Sequence, residues 1–311
     1  GLMSNTSYDA YVRSVCDANA TPPEVSDWSN VFSFSTLCNP DTAPYVENFD
    51  GANFDPANNT IDNCFSRSDD GNGFAWEVGT GATVSGFTGP DDDVSGGGNY
   101  LFTEASGSNL DDEAFLNLPQ IDLTTLSTPS ITFSYHMYGA VMGTLSVEVK
   151  EVTNTNYTEV FTISGEQQTG NSDAFTEQLV DLNAFAGQTV DIRFKGVRGD
   201  GFGSDIAIDE VSVDEAPLTA EVQLIHNSAD PAAEFVDVYL DGTLIADDFE
   251  FRTASAFLEV PAATPIDIDV APQDSNTSSG NGVNDSVFNL NTTLTADETY
   301  VAVANGVLDP T

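Results

Sequence analysis

Apolar residues in this chain come in short runs that alternate with polar ones, and no stretch repeats them at helical spacing. Residues 7–16 (SYDAYVRSVC), 31–36 (VFSFST), 189–195 (TVDIRFK) and 205–213 (DIAIDEVSV) each read with period two. That spacing sends one side of a segment into a core and the other toward solvent. Clusters of Gly, Asn, Asp, Ser and Thr separate the runs, which is the turn chemistry of short strands. The pattern predicts an all-β chain of tandem β-sandwich modules. Its 311 residues leave room for two or three domains.

Charge removes several classes of partner. Seven Lys and Arg face 50 Asp and Glu, a formal charge of −43. Nucleic acid is excluded as a partner, because its phosphates are held by clustered cations that displace counterions. An anionic membrane surface is excluded by the same sign. No apolar run approaches the roughly 18 residues of a spanning helix. The opening GLMSNTSYDAYVRS has neither the basic nor the apolar region of a signal peptide, as is also true of exported proteins that have lost theirs. The acid excess favours solubility in salty water and supplies oxygen ligands for hard cations. Together these features predict a secreted, extracellular or cell-surface chain.

Three pieces follow one another. Residues 1–40 hold two strand-like runs around the loop PPEVSDWSN, too little to bury a core. Tyr8-Asp9-Ala10-Tyr11-Val12-Arg13, then Trp28-Ser29, then Phe32-Ser33-Phe34 resemble the last two strands of a fibronectin type III module. Its earlier strands are absent, so the 311 residues are expected to be a window from a longer polypeptide. Residues 41–215 carry Glu47-Asn48-Phe49-Asp50, then Cys64, Trp76, GPDDDVSGGGNY over 89–100, and Ile206-Ala207-Ile208-Asp209-Glu210-Val211. This succession resembles a MAM domain, the jelly-roll module named from meprin, A-5 protein and receptor phosphatase mu. Glu47 stands where that family has its first cysteine, and the closing cysteine is absent; both departures bear on the usual disulfides. Residues 216–311 contain Ile225-His226-Asn227-Ser228-Ala229-Asp230-Pro231 and Val236-Asp237-Val238-Tyr239-Leu240-Asp241-Gly242. They resemble an uncharacterised family of bacterial surface β-sandwiches.

The MAM resemblance implies a structural calcium. Ca²⁺ takes six to eight oxygens, and Asp50, Asp92, Asp93 and Asp209 match the acids of the family pattern that would meet at one end of the jelly roll. Gly96, Gly97 and Gly98 would let backbone carbonyls turn inward, because glycine tolerates positive φ. The alternative is that these are solvated acids, since 50 carboxylates must fall somewhere. Asp69-Asp70-Gly71-Asn72-Gly73 lacks the closing Glu of an EF-hand and reads as a turn. For the cysteines, a hairpin of residues 7–16 and 31–38 would hold Cys16 and Cys38 roughly 20 Å apart, too far for a bridge. Cys38 with Cys64 is the better pair, and three reduced thiols are the alternative.

Catalytic constellations are sparse. The two histidines, His136 and His226, lie in separate pieces; His136 reads as a strand residue and His226 as the orienter of a turn. No G-x-S-x-G or clustered His/Cys metal motif occurs. Trp76, Tyr100, Phe102, Tyr135 and Tyr138 could stack on sugars if exposed, but alternating aromatics on strands read first as core. Asp41-Thr42-Ala43 and Asp285-Ser286-Val287 resemble short O-glycosylation sites of Gram-negative secreted proteins, with Thr42 and Ser286 as acceptors. The module set as a whole resembles the giant proteins that gliding Gram-negative bacteria export by type IX secretion. It implies a non-catalytic segment of a surface adhesin or filament, whose partners are other modules of the same chain and surface glycans or proteins. Accessory modules of a secreted hydrolase and a carbohydrate-binding module are the alternatives.

Overall fold

A computed structural model describes residues 1–17, 19–69, 71–273, 275, 283 and 286–306, so Asp70 and Asp285 lie outside the described residues. The chain divides into two units, Gly1–Ala216 and Pro217–Thr311. Among the described residues no helix is long and apolar enough to cross a membrane. The helical segments among the described residues are two short 3-10 turns, Asn183–Phe185 and Pro231–Ala233.

The first unit opens with β1 (Ser7–Ala10), β2 (Val15–Asp17), β3 (Glu24–Val25) and β4 (Phe32–Ser35), paired antiparallel as β1 with β4 and β2 with β3. Then come β5 (Asp41–Thr42), β6 (Tyr45–Glu47), β7 (Ser66–Ser68), β8 (Trp76–Gly79), β9 (Tyr100–Thr103), β10 (Glu113–Asn117) and β11 (Ile121–Asp122). They are followed by β12 (Pro129–His136), β13 (Thr144–Glu151), β14 (Thr158–Ser164), β15 (Thr176–Asp181), β16 (Thr189–Val197) and β17 (Ala207–Glu215). One sheet runs β14-β13-β16-β10-β7 with β11 and β5 at its side; the other runs β15-β12-β17-β9-β8 with β6 attached to β17. The non-sequential neighbours are those of a jelly roll.

Alternation builds the core between these sheets. Along β16, Val190, Ile192, Phe194 and Gly196 are buried while the residues between them are half-buried. Phe194 meets Phe133 of β12 edge-on at 5.0 Å. At one end, Phe49, Phe54 and Phe65 pack edge-to-face on one another. In β17 the alternation slips: Ile206 and Ile208 point inward, and so do Val211 and Val213. A bulge opposite Phe133 absorbs the extra residue, and Glu210 takes φ 49° there. Asp205, Ala207 and Asp209 are thereby left on the face of the sheet turned away from the main core.

The second unit contains β18 (Thr219–Ser228), β19 (Phe235–Leu240), β20 (Thr243–Glu250), β21 (Ala254–Pro261), β22 (Pro265–Pro272), β23 (Phe288–Thr293) and β24 (Thr299–Gly306). Its sheets are β21-β18-β24 and β20-β19-β22-β23. Val222, Leu224, Val236, Val238, Val260, Ile266 and Ile268 fill the space between them. The first and last strands, β18 and β24, pair in parallel from Glu221 opposite Thr299 to Ser228 opposite Gly306. Residues 220–225, 236–240, 256–260, 266–270 and 300–304 read as strands in the sequence and lie inside observed ones, whereas β20 and β23 are not among those runs.

Candidate functional site

The acids predicted to meet at one end of the jelly roll are placed by β17, by the loop before β9 and by the turn after β6. Asp209 is 1% exposed on β17; its Oδ2 accepts the N–H of Val94 (3.0 Å) and its Oδ1 that of Glu210 (2.7 Å). Burial pushes its carboxyl up to about 7, against those two N–H bonds, and the charges of Glu210 and Asp93 add to the rise. Asp93 is also buried, yet it is held down at about 2: burial pushes upward, but bonds from Ser95, Gly98 and Gly97 together outweigh it. The hydroxyl and N–H of Ser95 donate to Oδ2 (2.5 and 3.0 Å), and the N–H of Gly98 donates to Oδ1 (2.7 Å).

The glycine-rich loop therefore turns N–H groups, not carbonyls, toward Asp93, a concave nest of donors around an anion. The carbonyl of Gly98 instead accepts the hydroxyl of Thr80 (2.9 Å). Glycine carbonyls were expected to line the site; the glycine hydrogen bonds seen at Asp93 come from N–H groups. Asp50 reaches the same place from the other side, its Oδ1 accepting the N–H of Asn99 (2.7 Å). Gly98 lies against both carboxylates. A Cβ there would stand 2.2 Å from Asp50 Oδ1 and 2.7 Å from Asp93 Oδ2. Asp92 does not join them through that oxygen pair; its Oδ1 accepts the N–H of Asp93 (3.1 Å).

Elsewhere the predicted residues are placed as follows. Cys38 is bonded to Cys64 with Cα atoms 5.7 Å apart, and Cys16 is a free, exposed thiol. Thr42 is exposed on β5. Ser286 is half-buried, and its hydroxyl donates to Asp269 Oδ1 (2.7 Å) and the carbonyl of Phe288 (3.0 Å). Trp76, Tyr100, Phe102 and Tyr135 are buried, so none of them offers a sugar a flat face. His136 is fully buried against Phe175, and burial lowers its pKa to about 4. His226 is buried with Nε2 2.7 Å from the carbonyl of Ala233 and Nδ1 facing the N–H of Ser228.

Two features escaped the sequence reading. Asp205 is fully buried, its Oδ1 accepts the N–H of Ala105 (2.9 Å), and its Oδ2 has no hydrogen-bond partner. In the second unit, Asp237, Asp247 and Asp248 bring carboxylate oxygens within 4.8 Å of one another. Asp237 is buried there, with Oδ2 accepting both the N–H and the hydroxyl of Ser275 and Oδ1 accepting the N–H of Asp248. The Val-Asp-Val-Tyr alternation around Asp237 was the available signal, since period two sets its side chain opposite those of Val236 and Val238.

Two packed, mainly antiparallel sheets with this strand order are the architecture of a jelly-roll β-sandwich module. Residues 52–217, more than half of the chain, match the MAM domain (meprin/A5/mu), and the chain belongs to that family. It is 33% identical over 157 residues to mouse MAM domain-containing protein 2, covering 50% of this chain and 22% of that protein. It is 29% identical over 156 residues to Xenopus laevis neuropilin-1, covering 49% and 16%. The chain thus spans about a fifth of the length of these relatives. Among solved structures, the K1 cleaved adhesin domain of Lys-gingipain from Porphyromonas gingivalis W83 is similar over 55% of this chain and 98% of that domain. Identity there is 18% and the TM-score 0.40.

Proposed function

We propose that the chain is a non-catalytic contact segment of a larger secreted or cell-surface protein, with its MAM jelly roll stiffened by calcium. The observation that carries the reading is the MAM module itself. A relative named a MAM domain-containing glycosylphosphatidylinositol anchor protein supports a surface location. The burial of both histidines supports a non-catalytic role, because neither ring is open to a substrate. The fibronectin-like hairpins of residues 1–40 and the sandwich after residue 216 extend the reading to a multimodular adhesin or filament of the kind exported by type IX secretion. Surface glycans or proteins are the partners such a segment would touch.

No three of Asp50, Asp92, Asp93 and Asp209 bring carboxylate oxygens within 4.8 Å of one another, so the calcium reading rests on their oxygen chemistry and their shared end of the jelly roll. Asp50 and Asp93 aim oxygens at a cradle that a Cβ on Gly98 would fill, and a hard cation takes such oxygens. Asp50, Asp93 and Asp209 would hold it, with Asp92 at the rim. The cation would neutralise carboxylates that repel one another and so fix the loop before β9 to β17. Adding calcium to the full chain in EDTA should raise the melting temperature, and an unchanged melt rejects the site. For the contact role, beads coated with the chain should adhere to cell surfaces beyond albumin-coated beads. Turnover of a peptide or glycoside substrate, abolished by a single carboxylate substitution, would refute the non-catalytic reading.

A further inference from the structure

Cations are scarce in this chain, yet both lysines and one of the arginines stand together on the outer face of the β14-β13-β16-β10-β7 sheet. Arg193 lies on the central strand β16, opposite Glu148 of β13 and Asn117 of β10. Its Nε donates to Glu148 Oε2 (2.6 Å), and its guanidinium is held between two rings, 4.3 Å from Phe115 and 3.9 Å from Tyr157. Lys150 pairs with Asp191, and Lys195 with Glu113. Gln120 donates to the remaining oxygen of Asp191 (3.0 Å). Partly exposed ion pairs stabilise a fold by only about 0–1 kcal/mol each, so stability does not explain why the chain concentrates its cations here.

We propose that this face binds a neutral oligosaccharide, with Tyr157 and Arg193 at its centre. Each of its three cations is paired with an acid, Glu159 stands in register beside Glu148 on the same face, and the protein as a whole carries −43. An anionic ligand finds no net attraction here and is repelled by the rest of the molecule. Sugar hydroxyls donate and accept at once. They are matched by donors and acceptors already fixed in mutual pairs, which lose little freedom on binding. Tyr157 is half-buried and adds an aromatic surface for the apolar side of a pyranose ring. The proposal rests on the jelly roll being a contact module, and the test separates the two.

The test is NMR titration of the isotope-labelled full chain with xylohexaose, mannohexaose and cellohexaose, and with hexagalacturonate as the anionic counterpart. Saturable shifts at Tyr157 and Arg193 are expected with at least one neutral sugar. Tyr157→Ala and Arg193→Lys should each weaken that binding about tenfold, and Trp28→Ala should leave it unchanged. The proposal is overturned if no neutral sugar moves these residues at about 10 mM, if hexagalacturonate binds more tightly, or if Tyr157→Ala has no effect. Beads that still adhere to cells while the sugars leave this face silent would refute the glycan site and leave the contact role standing.

Discussion

Replacing Asp205 by Asn should change how the stability of the jelly roll depends on pH. Burial is the largest cause of the rise in its carboxyl to about 7 from 3.8; Glu104 and Glu77 add to it, while the N–H of Ala105 and the charge of Arg198 oppose it. A group whose folded pKa lies above its unfolded one binds its proton more tightly in the fold. Its contribution is therefore complete below about pH 4 and is lost as pH rises through about 7. Between about pH 5 and about pH 8 the loss amounts to about 2–3 kcal/mol. In Asp205→Asn the amide oxygen still accepts from Ala105, and this slope disappears. The new NH₂ in the place of Oδ2 costs about 1–3 kcal/mol if unpaired, at every pH alike, so the slope and not the level is the readout. Urea unfolding in EDTA, followed by the fluorescence of buried Trp76 with Trp28→Phe in both chains, measures it. Parallel pH curves for the two chains would refute the assignment of an uncompensated buried carboxyl.

Gly98→Ala should displace Asp50 or Asp93, because the added methyl overlaps both carboxylates; calcium-dependent gain in melting temperature should vanish, as read by calorimetry with and without EDTA. Cys38→Ser should cost about 3.5 kcal/mol through the loop entropy of a sequence separation of 26. A urea midpoint that neither this substitution nor reductant moves would show that the bridge does not constrain the unfolded chain. Phe133→Ala should cost about 3–5 kcal/mol by leaving a cavity against Phe194 and Phe161, measured by the same unfolding curves.

Much of the fold was legible because burial and period coincide in strands such as β16. Two strands of the second unit that escaped reading are ones where they do not. β20 (TLIADDFE) carries adjacent acids, and β23 (FNLNTT) is rich in Asn and Thr. Neighbours rather than propensity place them, through pairing with β19 and β22 respectively. At the acidic end, the family resemblance pointed to Asp50, Asp92, Asp93 and Asp209, but a sequence pattern carries no information on which way a peptide plane faces. The inward N–H groups of the glycine loop were invisible for that reason. Period two already set Asp205, Ala207 and Asp209 on one side of β17; it could not reveal that Val94 and Thr88 from another loop close over that side.

The parallel pairing of β18 with β24 has a mechanical consequence. The described residues of the second unit begin with one of these strands and end with the other, so their two ends lie at opposite ends of a shared ladder. Tension applied through the two ends therefore acts along the strands, and their hydrogen bonds from Glu221 to Ser228 are loaded together in shear. They cannot be opened one at a time, as they would be if the strands were peeled apart from one end. A pulled module of this kind yields only when the whole ladder slips.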